Sequence, residues 1–472
     1  MNELVRLSAR EAVERLKKGE VSPLEMIDAA VERIGEVDGV LNALPTLCVE
    51  RARQHAKELM SRPKDEAPPG YLYGLPVAIK DLYEVAGVRS TFGSPIYANN
   101  VPERSDYLVE TIEGKGGVVL AKSNTPEFGA GGNTFNEVFG KTRNPWNTEM
   151  TCGGSSGGSA VALATGQVWL ATGSDLGGSL RLPASFCSVV GLRPSPGRVA
   201  TGPKGLPFSS LSVEGPMGRN VGDVALFLDT QAGRHPGDPI SLETPSRPFV
   251  EAVDHASAPK RVAFTRDLGI APVDREVQEV CAEAARAFAG LGATVEEATI
   301  DFRDAEETFQ TLRAAHFVAT YAPMLETHRD QLKPEVIWNI EKGLKLTADE
   351  ISRAERARGE LYHRTAEFFE RYDLLLCPAA SVPPFDVDMR YPTHIGGVEL
   401  DNYIAWALIT FAVTLTASPA ISVPCGFTSD GLPVGLQMVG PWAREDLLLS
   451  AAAAFEGAMG LADKLPMDPV AG

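Results

Sequence analysis

A Gly/Ser-rich run from Cys152 to Arg181 limits the folds open to this chain. It opens as Cys-Gly-Gly-Ser-Ser-Gly-Gly-Ser-Ala and closes as Gly-Ser-Asp-Leu-Gly-Gly-Ser-Leu-Arg. Backbone this rich in glycine turns tightly and approaches other backbone closely, so its serine hydroxyls can sit beside free N–H groups. A nucleophile next to donors that can stabilise an oxyanion is what acyl-transfer chemistry needs. A second anomaly lies upstream, where Lys80 ends the apolar run Gly74-Leu75-Pro76-Val77-Ala78-Ile79. A lysine closing a buried strand needs a partner or a function.

Strand-like segments at Pro76–Ile79, Gly117–Ala121, Val168–Thr172 and Ser188–Gly191 alternate with helical or Gly-rich stretches, which predicts an α/β fold. Ahead of them, residues 1–60 read as helices. Ser8-Ala9-Arg10-Glu11 and Ser22-Pro23-Leu24-Glu25 both match the capping box, the second with proline at the first helical position. A Pro/Gly/His-rich segment, Gly233–Ala258, marks a lobe boundary or a long surface loop. Beyond it, Arg261–Phe264, a helix over Asp274–Leu291 and Thr294–Glu297 form a strand–helix–strand unit, and Glu306–Tyr372 is mainly helical. Strands return at Leu374–Cys377, Ala420–Pro424 and Val434–Val439, and a last helix starts near Glu445.

Charge excludes one class of partner. With 44 basic and 62 acidic side chains the net charge is −18, so the surface repels phosphate backbones and no direct nucleic-acid ligand is expected. The six cysteines are scattered, with neither a Cys-x-x-Cys pair nor a His/Cys cluster, which disfavours structural zinc and a disulfide scaffold. No apolar run reaches the length of about 18 residues that a membrane helix needs, and the N-terminus lacks a secretory pattern. The expected setting is cytoplasmic, with no membrane partner and no metal.

The serines admit several chemistries. Gly153–Gly157 and Gly154–Gly158 each match Gly-x-Ser-x-Gly, but a nucleophile elbow there needs a preceding strand and a histidine, and Asn144–Met150 reads as loop. A phosphate cradle would need Gly-Lys-Ser/Thr after the glycines, which is missing. Ser61-Arg62-Pro63-Lys64 spells Ser-x-x-Lys, but Pro63 bars the helical turn that would bring the pair together. The remaining set joins Lys80, Ser155 and Ser179: a lysine kept neutral by burial can serve as base, Ser155 can relay a proton, and the residues before Ser179 can offer converging N–H groups. On residue chemistry alone, the same residues also fit tight turns with a buried ion pair.

Gly74–Asp81 (Gly-Leu-Pro-Val-Ala-Ile-Lys-Asp), Gly153–Ser159 and Gly173–Cys187 together resemble the amidase signature family, and the likeness runs on to Asp430–Gln437 near the C-terminus. The resemblance implies one large mixed central sheet flanked by helices on both faces. It implies a Ser–cisSer–Lys triad with Ser179 as nucleophile, Ser155 as relay after a non-proline cis peptide, and Lys80 as base. The oxyanion hole it implies uses the N–H groups of Leu176, Gly177, Gly178 and Ser179. Asp175 and Arg181 are expected to support the turn. The implied substrate is a small-molecule amide, cleaved without a cofactor; a homodimer is left open.

The implied organisation is a single domain over 1–472: a helical wrapper over 1–70, the signature core over 71–232, a mostly helical substrate-side region over 233–372, and strands and a helix completing the core over 373–472. A stand-alone amidase is expected, acting on an aryl amide, a linear amide oligomer, a hydrazide or a carbamate. The A subunit of the tRNA-dependent amidotransferase is the alternative, but Thr414–Ala420 departs from that protein's Asn-x-x-Gly-x-Pro-Ala, and Ser212-Val213-Glu214-Gly215-Pro216 from its Asp-Gln-x-Gly-Pro. A Ser/His esterase is the remoter alternative. Phe128, Phe135, Trp338, Trp406 and Phe411 are candidates for an apolar pocket, with core packing expected for most of them.

Overall fold

Eleven strands form one mixed sheet in the computed structural model, which describes residues 1–61 and 67–472. Lys64 of the Ser-x-x-Lys tetrad lies outside the described residues. In chain order the strands are β1 (Thr46–Leu47), β2 (Pro76–Lys80), β3 (Val118–Ser123), β4 (Leu170–Asp175), β5 (Val190–Arg193), β6 (Val213–Gly218), β7 (Arg261–Phe264), β8 (Thr294–Glu297), β9 (Leu374–Pro378), β10 (Ala420–Phe427) and β11 (Pro433–Val439). Across the sheet they run β1-β3-β2-β4-β6-β5-β10-β11-β9-β7-β8.

Two parallel blocks, β3-β2-β4 and β9-β7-β8, flank a centre whose neighbouring strands are antiparallel. Every residue of β2, β3, β6, β9 and β11 is buried, so both faces of the sheet are covered, as the α/β pattern requires.

The helices that matter for the site are α1 (Ala9–Lys18), α2 (Pro23–Leu41), α3 (Gly157–Ala164), α4 (Arg181–Cys187), α5 (Ala305–His328), α6 (Pro334–Gly343), α7 (Ala348–Phe369) and α8 (Leu408–Leu415). Both expected capping boxes are present: the Ser8 and Ser22 hydroxyls accept from the N–H groups of Glu11 and Glu25 at 3.2 Å, starting α1 and α2. Helix α3 is wholly buried, and its glycines allow this. A Cβ at Gly158 would strike the backbone of Asn124.

Several strands extend past their expected ends, and the reason is electrostatic. A reading by hydropathy stops at Ala121, Thr172 and Gly191, whereas the ladders carry on through Lys122-Ser123, Gly173-Ser174-Asp175 and Leu192-Arg193. The charged residues among them are buried because each has a partner: Lys122 pairs with Asp81 at 2.6 Å, and Arg193 with Asp175 at 3.2 Å. The stretch expected as loop before Ser155 is also more ordered. Arg143–Asn144 and Asn147–Thr151 form a small antiparallel ladder outside the main sheet, tied by the Asn144 side-chain amide donating to Thr151 O at 3.0 Å.

Candidate active site

The C-terminal ends of the parallel strands β2, β3 and β4 converge, and the buried polar residues collect there, where open α/β sheets place their ligands. Lys80 closes β2 with no solvent exposure. Its Nζ lies 2.7 Å from Ser155 Oγ, 2.8 Å from Ser156 Oγ and 2.9 Å from Ser174 Oγ. Its own N–H donates to Thr172 Oγ1 at 2.9 Å, which fixes the strand end against β4. Burial, only partly opposed by the charge of Asp175, pushes the Lys80 ammonium well below the ordinary lysine range, which favours the neutral amine.

Ser155 and Ser156 immediately precede α3, and the Gly154–Ser155 peptide is cis. Ser179 lies in the turn between β4 and α4 and lines the same cavity as Ser155, Leu176 and Gly177. Two devices hold this turn. Asp175 accepts from the N–H groups of Gly178 at 2.9 Å and Leu180 at 3.2 Å, and pairs with Arg181 at 2.8 Å. Burial alone would raise the Asp175 carboxyl; Arg181 and Arg193 outweigh it and hold the group at about 2. From α8, the Thr410 hydroxyl donates to Gly177 O at 2.8 Å, and the Cβ of any residue replacing Gly178 (φ +116°) would collide with that hydroxyl.

Of the N–H groups expected in an oxyanion hole, that of Gly178 is thus engaged by Asp175. Those of Leu176, Gly177 and Ser179 have no internal acceptor among the described residues. No histidine hydrogen-bonds Ser155, Ser156 or Ser179 among the described residues; Ser155 is bound to Lys80 instead. His316 does line the cavity, with burial and then Arg313 pushing its imidazole down to about 4.

The cavity measures about 410 Å³. One wall is aromatic, built by Phe92, Tyr97, Phe128, Phe317 and Tyr321, with Phe128 stacked on Tyr321 at 4.7 Å. Of the aromatics singled out in the sequence, only Phe128 lines it. Trp406 stacks on Phe186 and Phe411 on Phe309, Trp338 meets Tyr403 edge to face, and Phe135 lies under Lys333 and Arg390. Ser156 and Ser174 were missed as lysine partners. Extending β4 to Asp175 would have found Ser174, which faces the same side as Thr172 two residues earlier.

Residues 25–449 match the family model described as Amidase. The chain belongs to the amidase family. The amidase is 35% identical over 464 residues to the acylamidase of Rhodococcus erythropolis, covering 98% of this chain and 97% of that one. It is 33% identical over 479 residues to the A subunit of the glutamyl-tRNA(Gln) amidotransferase of Geotalea daltonii, covering 96% and 97%. Among solved structures, a bacterial aryl acylamidase of the amidase signature enzymes superposes with a TM-score of 0.91 at 30% identity, over 98% and 99% of the two chains. The amidase is an amidohydrolase acting on carbon–nitrogen amide bonds. All six of its cysteines are free, and among the described residues no group of three His, Cys, Asp or Glu side chains is placed to hold a metal. No described helix is long and apolar enough to cross a membrane.

Proposed function

We propose that this amidase cleaves small-molecule carboxylic amides through an acyl-enzyme on Ser179, with Ser155 as relay and Lys80 as base. The observation that carries the proposal is the fully buried Lys80 amine 2.7 Å from Ser155 Oγ, in a cavity that Ser179 also lines. A neutral amine donates two hydrogen bonds and accepts one, so three hydroxyls around Nζ suit it if one of them donates. Ser156 has another acceptor in Ser174 O at 3.4 Å, and the relay proposed here has the Ser155 hydroxyl donating to the lysine nitrogen.

The sequence of bonds follows from that placement. Ser179 Oγ bonds to the amide carbon while its proton passes to Ser155 Oγ and the Ser155 proton passes to Lys80. The N–H groups of Leu176, Gly177 and Ser179 hold the developing oxyanion. As the carbon–nitrogen bond breaks, the protons return along the same path to the leaving amine. Water then attacks the Ser179 ester by the same route, releasing the acid.

Helix α5 supplies Arg313, His316, Phe317, Thr320, Tyr321 and Met324 to the cavity, which supports 233–372 as the substrate-side region beside a core built from 71–232 and 373–472. Six free thiols support a reducing, cytoplasmic setting. The aromatic wall and the likeness to an aryl acylamidase support an aryl or otherwise apolar amide as substrate. The likeness to the A subunit of an amidotransferase supports a second function, glutamine hydrolysis to supply ammonia to a partner chain. The motif departures at Ser212–Pro216 and Thr414–Ala420 weigh against it.

Incubation with a fluorophosphonate tests the assignment: the adduct is expected on the Ser179 peptide, and labelling that survives Ser179→Ala overturns it. Hydrolysis of anilides by the purified chain alone separates a stand-alone hydrolase from one that needs a partner chain.

A further inference from the structure

The cavity also has a polar lining, and one group there has an oxygen without a hydrogen-bond partner among the described residues. Glu214 lies on β6, directly across the ladder from Ser174, the residue whose hydroxyl holds Lys80 Nζ at 2.9 Å. It lines the cavity, is only 9% exposed, and its Oε2 has no hydrogen-bond partner among the described residues. The neighbouring cation does not serve it: Lys204 Nζ donates to Thr201 Oγ1. Asp238 is engaged by the Thr201 N–H at 2.8 Å, and the Tyr83 hydroxyl donates to Gly173 O at 3.1 Å. A buried carboxyl oxygen without a donor is costly, and native interiors keep few of them.

Building on the amide hydrolysis proposed above, we propose that Glu214 is a specificity-determining residue that accepts a hydrogen bond from an N–H or O–H group of the substrate, outside the scissile amide. The preferred substrates are then two-ended: an apolar or aryl portion lies against Phe92, Phe128 and Tyr321, and a hydroxyl or amino group reaches Glu214. The rung to Ser174 sets the geometry, because directly paired residues of adjacent strands place their side chains about 5 Å apart on one face. The donor therefore docks next to the lysine cluster. Burial, reinforced by Asp106 and opposed by Lys204, holds the Glu214 carboxyl well above the usual carboxylate range. An uncharged acid suits a hydroxyl donor, whereas an ammonium would bring back the carboxylate.

The experiment uses matched amides whose acyl chain, or in a second series whose amine portion, ends in methyl, hydroxyl or ammonium. In the wild-type enzyme the hydroxyl or ammonium member of one series is expected to exceed its methyl counterpart in kcat/KM by about tenfold or more, since a site built around a hydrogen bond rejects the analogue that lacks it. The better of the two donors identifies the ionisation state of Glu214. In Glu214→Leu that ratio is expected to collapse toward one, while Glu214→Gln, which keeps an acceptor, retains part of it. Equal rates across both series in the wild type, as when water alone satisfies Oε2, overturn the proposal even if the leucine variant fails to fold. A preference that persists in Glu214→Leu overturns it as well. If preference is absent but Ser179 is still labelled by a fluorophosphonate, the Glu214 assignment falls and the acyl-enzyme stands; absence of both labelling and turnover removes both.

Discussion

Lys80 Nζ and Ser155 Oγ lie 2.7 Å apart, and the lysine carries no solvent exposure at all. In the base role proposed for it, the lysine cannot be replaced by a guanidinium, which does not give up its proton. Lys80→Ala and Lys80→Arg are expected to lower kcat for amide hydrolysis by several orders of magnitude with the fold retained, as checked by circular dichroism and steady-state assay. Near-normal turnover in Lys80→Arg removes the lysine from the base position. In the wild type, the rate is expected to fall as pH drops through the lowered pKa of Lys80, because protonation removes the base.

The same burial has a stability signature. With its pKa lowered by burial, folded Lys80 gives up its proton at lower pH than the unfolded lysine, so over that interval the unfolded state binds more protons and the wild type gains stability as pH rises toward the ordinary lysine value of 10.5. Lys80→Met lacks this gain. The difference in unfolding free energy, variant minus wild type, is therefore expected to shift toward the wild type between pH 7 and 10 in urea titrations; a constant difference means the amine is charged in the folded state.

Under the proposed mechanism, Ser155→Ala removes the relay but not the nucleophile. Turnover is expected to drop severely while Ser179 still labels with a fluorophosphonate, more slowly. His316→Ala, at the only imidazole lining the cavity among the described residues, is expected to change KM without abolishing activity. Complete loss in the histidine variant would make it the base.

Asp175 holds its turn through two buried arginines, so Asp175→Asn leaves them without their counter-charge. A loss of roughly 3–5 kcal/mol is expected from thermal or urea unfolding. Asp175 titrates at about 2 when folded, below its ordinary 3.8, so its contribution is complete above that ordinary value and is lost as pH falls toward 2. The stability gap between wild type and variant should narrow over that acid range.

Gly178→Ala places a methyl group against the Thr410 hydroxyl at a backbone φ of +116°. Displacement of the turn is expected to lower kcat strongly and to cost about 1–3 kcal/mol of stability. Adding Thr410→Ala removes the hydroxyl but leaves the Cβ at position 410 only 2.6 Å away and the backbone conformation unchanged, so it should restore only part of either loss. Full activity in Gly178→Ala alone would show that the turn tolerates movement.

What the sequence disclosed depended on whether the signal was local. Ser8 and Ser22 announce their helices through residues three positions away, and the order of glycines and serines around Ser155 and Ser179 locates the site. The strand ends at Lys122-Ser123 and Ser174-Asp175 escaped a reading by hydropathy, because the partners that make those polar residues buriable are set by the fold. Trp338, Trp406 and Phe411 could not be told from Phe92, Phe317 and Tyr321 for a similar reason. Aromatic character is a property of the residue, but facing the cavity is decided by which helix packs where. Glu214 stood at the unrestricted position of another protein's motif and gave no signal until the ladder put it opposite Ser174.

The nucleophile's turn is braced from far along the chain. Arg181, which clamps Asp175, reaches Thr410 O at 2.9 Å, Thr414 Oγ1 at 3.2 Å and Gln437 Oε1, and β10 and β11 sit in the sheet between β5 and β9. Lys80, Ser155 and Ser179 therefore emerge from the ribosome well before the segments that hold their geometry. A nascent chain carries these three residues before the segments that brace the turn around Ser179, and the arrangement is complete only once the final strands have joined the middle of the sheet.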